Sequence, residues 1–151
     1  MESDNDNSVL GKQLKVINYR LPVIVSTYLS NARKFSSSAS KEELGNHRYW
    51  GRYHLREFLA RLFDKEFPLA TSGDYTLLHD ILNSRSGLQS LMKTECINPP
   101  YSVDEWYIMA SLICAESPDL VHGTVMDIYT PLLPMASTIC GIHEDVLGVK
   151  S

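Results

Sequence analysis

The sequence predicts an all-α fold: a compact bundle of about seven or eight short helices, with one long central helix near residues 41–65. Apolar residues recur at spacings of three and four through most of the chain, which is typical of helices that bury one face. Two Ser-x-x-Glu signatures mark helix starts, and no segment alternates regularly enough to build a sheet. We expect a flexible polar tail over residues 1–8 and a single helical domain over residues 9–151.

Pro22 separates the first two predicted helices. The apolar residues of segment 10–19 suit a short amphipathic helix, which Pro22 interrupts. Pro22 can then open a second helix that continues to about Lys34, although the β-branched run 23–25 also permits a strand. The serine-rich residues 36–39 predict a loop.

The long helix begins with a capping box. The Ser40 hydroxyl and the Glu43 carboxylate can each accept a hydrogen bond from a backbone N–H group that the first helical turn leaves unpaired. The apolar stripe that follows is continuous down to about Lys65. Its members are Leu44, Gly51, Leu55, Phe58, Leu59, Leu62 and Phe63.

Two shorter helices are expected before the chain breaks at Pro99-Pro100. Asp74 is a candidate N-cap for the first of them, and segment 84–87 is expected to end it. The second carries Leu88, Leu91 and Met92 as its apolar residues. Consecutive prolines then prevent helical continuation.

The last third of the chain predicts three more helices, each with its own start signal. Ser102 and Glu105 form a second capping box, and Ser117-Pro118 places a cap residue before a first-turn proline. Thr130-Pro131 repeats that arrangement, and the last helix is expected to end before Gly141. A further turn through Val146 and Leu147 is also expected.

The charges are divided unevenly along the chain, although the net charge is only -4. Residues 1–93 contain 13 of the 14 Lys and Arg residues, whereas residues 94–149 contain eight acidic residues and no Lys or Arg. A basic first part and an acidic last third give the domain a dipole that bears on partner choice. Neutralisation of both regions by solvent is the alternative.

Residues 47–61 of the predicted long helix interleave basic and aromatic side chains. The candidate partner-binding residues are Arg48, Trp50, Arg52, Tyr53 and Arg56. Because Trp, Tyr and Arg supply much of the binding energy at protein interfaces, this helix face predicts a protein-binding patch. The sequence therefore favours a non-enzymatic interaction domain, such as an adaptor, regulatory or viral accessory module, whose partner is another protein or a second copy of the chain.

Two other interpretations of residues 47–61 remain open. Arginines can neutralise phosphates while Trp and Tyr stack on bases, so this helix also suits a nucleic-acid-binding module. The chain is acidic overall and carries no helix-turn-helix or zinc-finger signature, which disfavours that function. Alternatively, Trp50 and Tyr53 pack partly in the core and the arginines form a solvated helix face.

No motif for catalysis, cofactor binding or metal binding is apparent. The five histidines do not cluster, and Cys140-x-x-His143 is half of a zinc pattern whose other half is absent. Neither a Gly-rich phosphate loop nor a Gly-x-Ser-x-Gly elbow occurs. We therefore expect no enzymatic activity, no metal and no cofactor.

An intracellular location, cytoplasmic or nuclear, is expected from the cysteines and the N-terminus. Cys96, Cys114 and Cys140 are odd in number and lie among apolar residues, which predicts buried free thiols. Residues 1–8 do not resemble a secretory signal. The longest uncharged stretch, residues 128–142, is shorter than the roughly 20 apolar residues of a membrane span.

The step Trp50-Gly51-Arg52 resembles a Trp-Gly-Arg step of the Bcl family of apoptosis regulators and its viral relatives. That resemblance implies a groove that binds an amphipathic helix of a partner. In that family, however, the step follows Asn at a helix start, whereas here it follows Tyr49 inside the first long helix. Since the match covers three residues, we do not assign the chain to that family.

Overall fold

A computed structural model describes residues 8–142, and within them the fold is all-α with no strand. The predicted fold class and the long central helix are both confirmed. The helices are α1 (Val9–Val16), α2 (Val23–Ser38), α3 (Lys41–Glu66), α4 (Ser72–Leu82), α5 (Arg85–Met92), α6 (Val103–Glu116), α7 (Pro118–Tyr129) and α8 (Leu133–Cys140), with a 3₁₀ turn over Thr130–Leu132 between the last two.

Helices α3 and α6 form the most extensive helix pair, and α2 and α7 pack against α6 beside them. Smaller contacts join α1 to α5 and α4 to α8. Trp106 of α6 and Tyr129 of α7 are completely buried, as are Phe63 and Leu59 of α3. One continuous apolar core therefore has α3 as an inner wall, which leaves the opposite side of α3 in solvent.

α3 and α6 approach so closely that only glycine fits at one position. A Cβ atom built on Gly51 would lie 1.7 Å from the backbone oxygen of Tyr107 on α6. Real Cβ atoms do not approach a backbone oxygen to that distance, so the absence of a side chain at Gly51 permits this helix pair. Gly51 therefore owes its place between Trp50 and Arg52 to packing.

Both predicted capping boxes form. The Ser40 hydroxyl accepts from the Glu43 backbone N–H at 3.1 Å, and the Glu43 carboxylate accepts from the Ser40 N–H at 3.0 Å. Ser102 and Glu105 do the same at the start of α6. Each box satisfies backbone donors that the helix cannot satisfy itself.

The start of α4 differs from the prediction. Thr71, rather than Asp74, is the N-cap, and Asp74 is the third helical residue of another capping box. Asp74 accepts from the Thr71 backbone N–H at 3.0 Å, while the Thr71 hydroxyl accepts from the Asp74 N–H at 3.1 Å. A Thr-x-x-Asp pair therefore acts here as Ser-x-x-Glu does elsewhere, and the predicted start was wrong by three residues.

Two serine-containing segments were also predicted wrongly. Residues 36–38 form the last turn of α2 instead of a loop, and the Ser36 and Ser37 hydroxyls donate back to helix carbonyl oxygens, each at 2.8 Å. Ser84 starts α5, where its hydroxyl accepts from the Gly87 N–H at 3.1 Å. Serine side chains can pair either with the backbone before them or with the backbone after them, so a serine run alone does not say which side is helical.

Segment 23–25 is helical, which resolves the helix-or-strand alternative left open by its β-branched residues.

Near the other end of α2, Arg33 binds the segment that precedes α6. Its guanidinium donates to both Glu105 carboxylate oxygens, at 2.7 and 3.0 Å, and to the backbone oxygens of Pro99 and Pro100, at 2.7 and 2.9 Å. It also lies 4.4 Å from the centre of the Tyr101 ring. The proline break is thereby fixed against α2.

The first helix begins earlier than predicted. Ser8, expected in the tail, caps α1 by accepting from the Gly11 N–H at 2.9 Å. Residues 1–7 and the expected turn at 146–147 lie outside the described residues.

The three cysteines are free, as predicted, but they are not buried as predicted: Cys96 is exposed, and Cys114 and Cys140 are only partly buried. Within residues 8–142, no helix combines the length and apolar composition needed to cross a membrane.

Candidate functional site

α3 carries the five candidate partner-binding residues, and the structure distributes them over three places. Trp50 and Tyr53 belong to a group of aromatic side chains in solvent. Arg52 and Arg56 line a cleft towards the α4–α5 junction. Arg48 lines a different cleft. The sequence pattern thus selected residues of one helix, but not which of them the bundle brings together.

The exposed aromatic cluster consists of Tyr49, Trp50, Tyr53 and His54. The exposed fractions of Tyr49, Trp50 and Tyr53 are 65%, 49% and 50%, so these rings are not core residues. Trp50 contacts Tyr49 and Tyr53 edge-on, with ring centres 5.1 and 5.8 Å apart, and stacks on His54 at 5.9 Å. The rings support one another and form a preorganised apolar surface.

The arginine cleft lies beside this cluster and has a volume of about 350 Å³. Its lining residues are Arg52, Arg56, Asn83, Ser84, Arg85 and Tyr107. Arg52 and Arg56 are one turn apart on α3, and Arg85 is the first residue of α5. Three guanidinium groups from two helices therefore line a single cleft, whose lining contains no carboxylate.

Four residues of the arginine cleft, Asn83, Ser84, Arg85 and Tyr107, were not predicted as site residues from the sequence. Asn83 and Arg85 belong to a junction that looked like a helix end, and Tyr107 lies in the middle of α6. Tyr107 reaches the cleft because Gly51 lets α6 approach α3 next to Arg52. The start signal at Ser84 could have placed Arg85 at a helix N-terminus, but no local signal connects it to α3.

Arg48 occupies a separate cleft of about 440 Å³, which it shares with Arg33 and with the carboxylates Asp104 and Glu105. Acidic side chains therefore balance positive charge in that cleft. Arg48 stays a predicted binding residue, but its surroundings differ in charge from those of Arg52 and Arg56.

His79 on α4 lies close enough to the arginine cleft for the charge of Arg56 to affect its pKa. The side chain is buried, its ring centre is 4.9 Å from that of Phe63, and its Nδ1 atom has no hydrogen-bond partner among the described residues. Burial and then the positive charge of Arg56 lower the pKa of His79 from 6.5 to about 4, against the opposing effect of Asp80. The imidazole is therefore neutral near pH 7.

The lowered pKa of His79 predicts acid destabilisation. The unfolded chain binds a proton at His79 near pH 6.5, whereas the folded chain does so only near pH 4. Protonation of His79 leaves the free energy of unfolding unchanged above pH 6.5. As the pH falls towards 4, it lowers the free energy of unfolding by about 3 kcal/mol in total. Urea unfolding of wild type and His79→Leu between pH 7.5 and 4 should show the variant losing less stability than wild type. Parallel stability curves would contradict this assignment.

The other histidines and the cysteines do not assemble into a metal site in the described region. His47 lies 2.8 Å from the Ser111 hydroxyl, and His54 stacks on Trp50. Across residues 8–142, no group of three or more His, Cys, Asp or Glu side chains is placed to hold a metal ion. His143, part of the half zinc pattern, lies outside the described residues.

No protein-family model matches the chain, and neither a curated protein nor a solved structure is significantly similar to it. What the chain does must therefore be inferred from the geometry and charge of the α3 face.

Proposed function

We propose that this chain is a non-enzymatic helical interaction domain, an adaptor, regulatory or viral accessory module, that binds an acidic segment of a partner protein. The binding surface is the α3 face, defined as the aromatic cluster together with the arginine cleft. The observation that carries the proposal is the exposure of Tyr49, Trp50 and Tyr53 directly beside Arg52 and Arg56. Desolvated aromatic and Arg side chains supply most of the energy at protein interfaces.

The packing within the aromatic cluster favours a protein partner over a nucleic acid. Bases bind by stacking on ring faces, yet Trp50 already stacks on His54 and meets Tyr49 and Tyr53 with their rings nearly perpendicular. Such a cluster offers a continuous apolar surface for a side chain rather than separate platforms for successive bases. The acidic net charge of -4 also opposes nonspecific attraction to nucleic acid.

The arginine cleft supports binding rather than catalysis. Its lining supplies hydrogen-bond donors but no carboxylate or imidazole that could serve as a general base. The Ser84 hydroxyl, the simplest nucleophile there, is already engaged in capping α5. We propose an intracellular setting, cytoplasmic or nuclear, because the three free thiols include an exposed one, Cys96.

Charge reversal in the α3 face tests the proposal. We expect Arg52→Glu with Arg56→Glu to abolish capture of the partner from a nuclease-treated lysate, because the acidic segment is repelled. Both arginines are exposed, so the helical circular-dichroism signal and melting temperature should be retained. The readout is the set of proteins bound by the tagged wild type and lost from the variant, quantified by mass spectrometry.

The matched control is Lys12→Glu with Lys65→Glu, which changes the net charge equally at exposed positions on α1 and in the last turn of α3. The control should keep the partner. If both pairs lose it, total charge rather than the α3 face determines binding. If neither pair loses it, the face assignment is wrong. Trp50→Ala with Tyr53→Ala should reproduce the loss without any change in charge.

Two other partners give distinct results in the same experiment. A nucleic-acid-binding module requires co-purification that disappears on nuclease treatment and affinity that falls steeply with salt. Self-association of the basic and acidic regions requires a larger particle at low salt than at high salt, measurable by light scattering on the purified chain.

A further inference from the structure

The arginine cleft holds more positive charge than its own lining balances. Arg52, Arg56 and Arg85 share the cleft, and no ion pair among residues 8–142 involves any of them. By contrast, Arg33 is paired with Glu105 and Arg61 with Glu57. Guanidinium groups that share a small cleft repel one another, so a bound anion would stabilise the arrangement.

Arg85 is poorly placed for helix stability. It is the first residue of α5, where the helix dipole is positive and a cation is unfavourable. The same dipole favours an anion in the cleft, since the cleft includes the N-terminal end of α5 through Ser84 and Arg85. The Arg85 guanidinium therefore destabilises its own helix and lies in the same cleft as two further arginines. Binding of an anionic ligand gives a reason for this arrangement that the stability of the fold does not.

We infer that the arginine cleft binds the phosphate group of a phosphorylated side chain on the partner, while the aromatic cluster contacts the residues beside it. This inference rests on the proposed function and specifies the chemistry of the partner. A phosphate monoester carries nearly two negative charges at neutral pH and has three acceptor oxygens, which match several Arg donors at once. A single carboxylate has two oxygens and one charge, so it would leave part of the cleft unbalanced.

The rings beside the cleft favour a phosphate on a polypeptide over a phosphodiester of nucleic acid. Trp50 already stacks on His54 and meets Tyr49 and Tyr53 with their rings nearly perpendicular, so this surface offers no separate platforms for successive bases. The net charge of -4 also opposes attraction to a polyanion.

The aromatic cluster is positioned to contact the rest of such a peptide. Tyr49 and Tyr53 lie three residues from Arg52 and Arg56, respectively, and residues at that spacing are neighbours on a helix surface. A peptide whose phosphate enters the cleft can thus place an adjoining apolar side chain on the exposed rings. Recognition would combine one charged anchor with one apolar anchor.

A small probe tests the cleft without any partner protein. We would titrate the purified full chain with N-acetyl-phosphoserine methylamide, its unphosphorylated form, inorganic phosphate and a single-stranded oligothymidylate, following amide chemical shifts by NMR. We expect the phosphoserine probe to bind most tightly, with shifts centred on Arg52, Ser84 and Arg85. Binding should weaken as the pH falls below about 6, because the phosphate then loses its second charge.

The variants are Arg52→Gln and Arg85→Gln, each expected to weaken phosphoserine binding at least about tenfold. The control Arg61→Gln removes an exposed guanidinium of α3 outside the cleft and should bind as wild type. Arg85→Gln should also melt no lower than wild type, since it removes a cation from a helix N-terminus. A loss of binding in that variant therefore cannot be attributed to unfolding.

Each other result overturns the inference. Absence of binding at millimolar probe, or equal binding by wild type, Arg52→Gln and Arg85→Gln, removes the phosphate site. Tighter binding of the oligothymidylate replaces the phosphorylated peptide with a nucleic acid. If the probe does not bind while partner capture still depends on Arg52 and Arg56, the interaction domain stands but its partner presents carboxylates. If the probe binds but partner capture does not depend on Arg52 or Arg56, the proposed binding of a partner protein at this cleft is overturned and only an anion site remains.

Discussion

Replacing Gly51 by Ala is expected to destabilise the chain by about 3 kcal/mol or more, a large effect for adding one methyl group. The new Cβ atom would lie 1.7 Å from the Tyr107 carbonyl oxygen, which is backbone and cannot rotate away. α3 and α6 must separate to accept it, and they form the most extensive helix pair of the fold. Urea unfolding followed by circular dichroism measures the change.

Gly123→Ala is the matched control. Gly123 also lies inside a helix, α7, but a Cβ atom there would meet nothing within 4 Å. Since Ala has a higher helix propensity than Gly, this variant should be more stable than wild type by about 0.5–1 kcal/mol. Opposite signs for the two substitutions would confirm that packing at Gly51 decides the outcome. Similar small changes at both positions would show that the helices can separate at little cost.

Among the substitutions expected to change stability at neutral pH, removing the Arg33 side chain should have the second largest effect, a loss of about 2–3 kcal/mol in Arg33→Ala. The substitution leaves the partly buried Glu105 carboxylate and the backbone oxygens of Pro99 and Pro100 without their charged donor. The value is kept below that of a fully buried pair because 31% of the Arg33 side chain is exposed. Arg33→Lys should recover little, since an ammonium group cannot bind both carboxylate oxygens and two carbonyls in one plane.

Arg61→Ala provides the comparison, because Arg61 pairs with Glu57 four residues away on the solvent side of α3. Their side chains are 65% and 38% exposed, so this pair should contribute less than about 0.5 kcal/mol. An equal loss in both arginine variants would contradict a special role for Arg33.

The Arg33 effect should also depend on pH. Burial opposes ionisation of Glu105, but hydrogen bonds from Arg33 and from the Ser102 backbone outweigh it and hold the pKa of Glu105 below its usual value. The ion pair therefore stabilises the fold at neutral pH and is lost as the pH falls through that lowered pKa. The stabilities of wild type and Arg33→Ala should accordingly converge in acid.

The sequence predicted helix starts correctly where one residue pair accepts hydrogen bonds from the unpaired backbone N–H groups of the first turn. The capping boxes at Ser40 and Ser102 act within four residues of sequence, so their geometry follows from local chemistry. The stripe from Leu55 to Phe63 was identified for the same reason, since its period depends only on the helix. Prediction failed at residues 36–38 and at Ser84, where a serine can serve either side of a boundary.

The sequence by itself determined the all-α fold, the long α3 helix and the interleaving of arginines and aromatic residues within it, because each follows from residue spacing and local start signals. The exposure of Trp50 and Tyr53 was left open by the sequence and was decided by the tertiary structure. Only the tertiary structure decided that Arg85 and Tyr107 join Arg52 and Arg56, since those residues are brought together by helix packing across long stretches of chain. It also separated Arg48 from them, beside Asp104 and Glu105. The physical reason is that side-chain periodicity is a property of a single helix, whereas a cleft depends on how closely several helices approach, which at Gly51 is set by one missing Cβ atom.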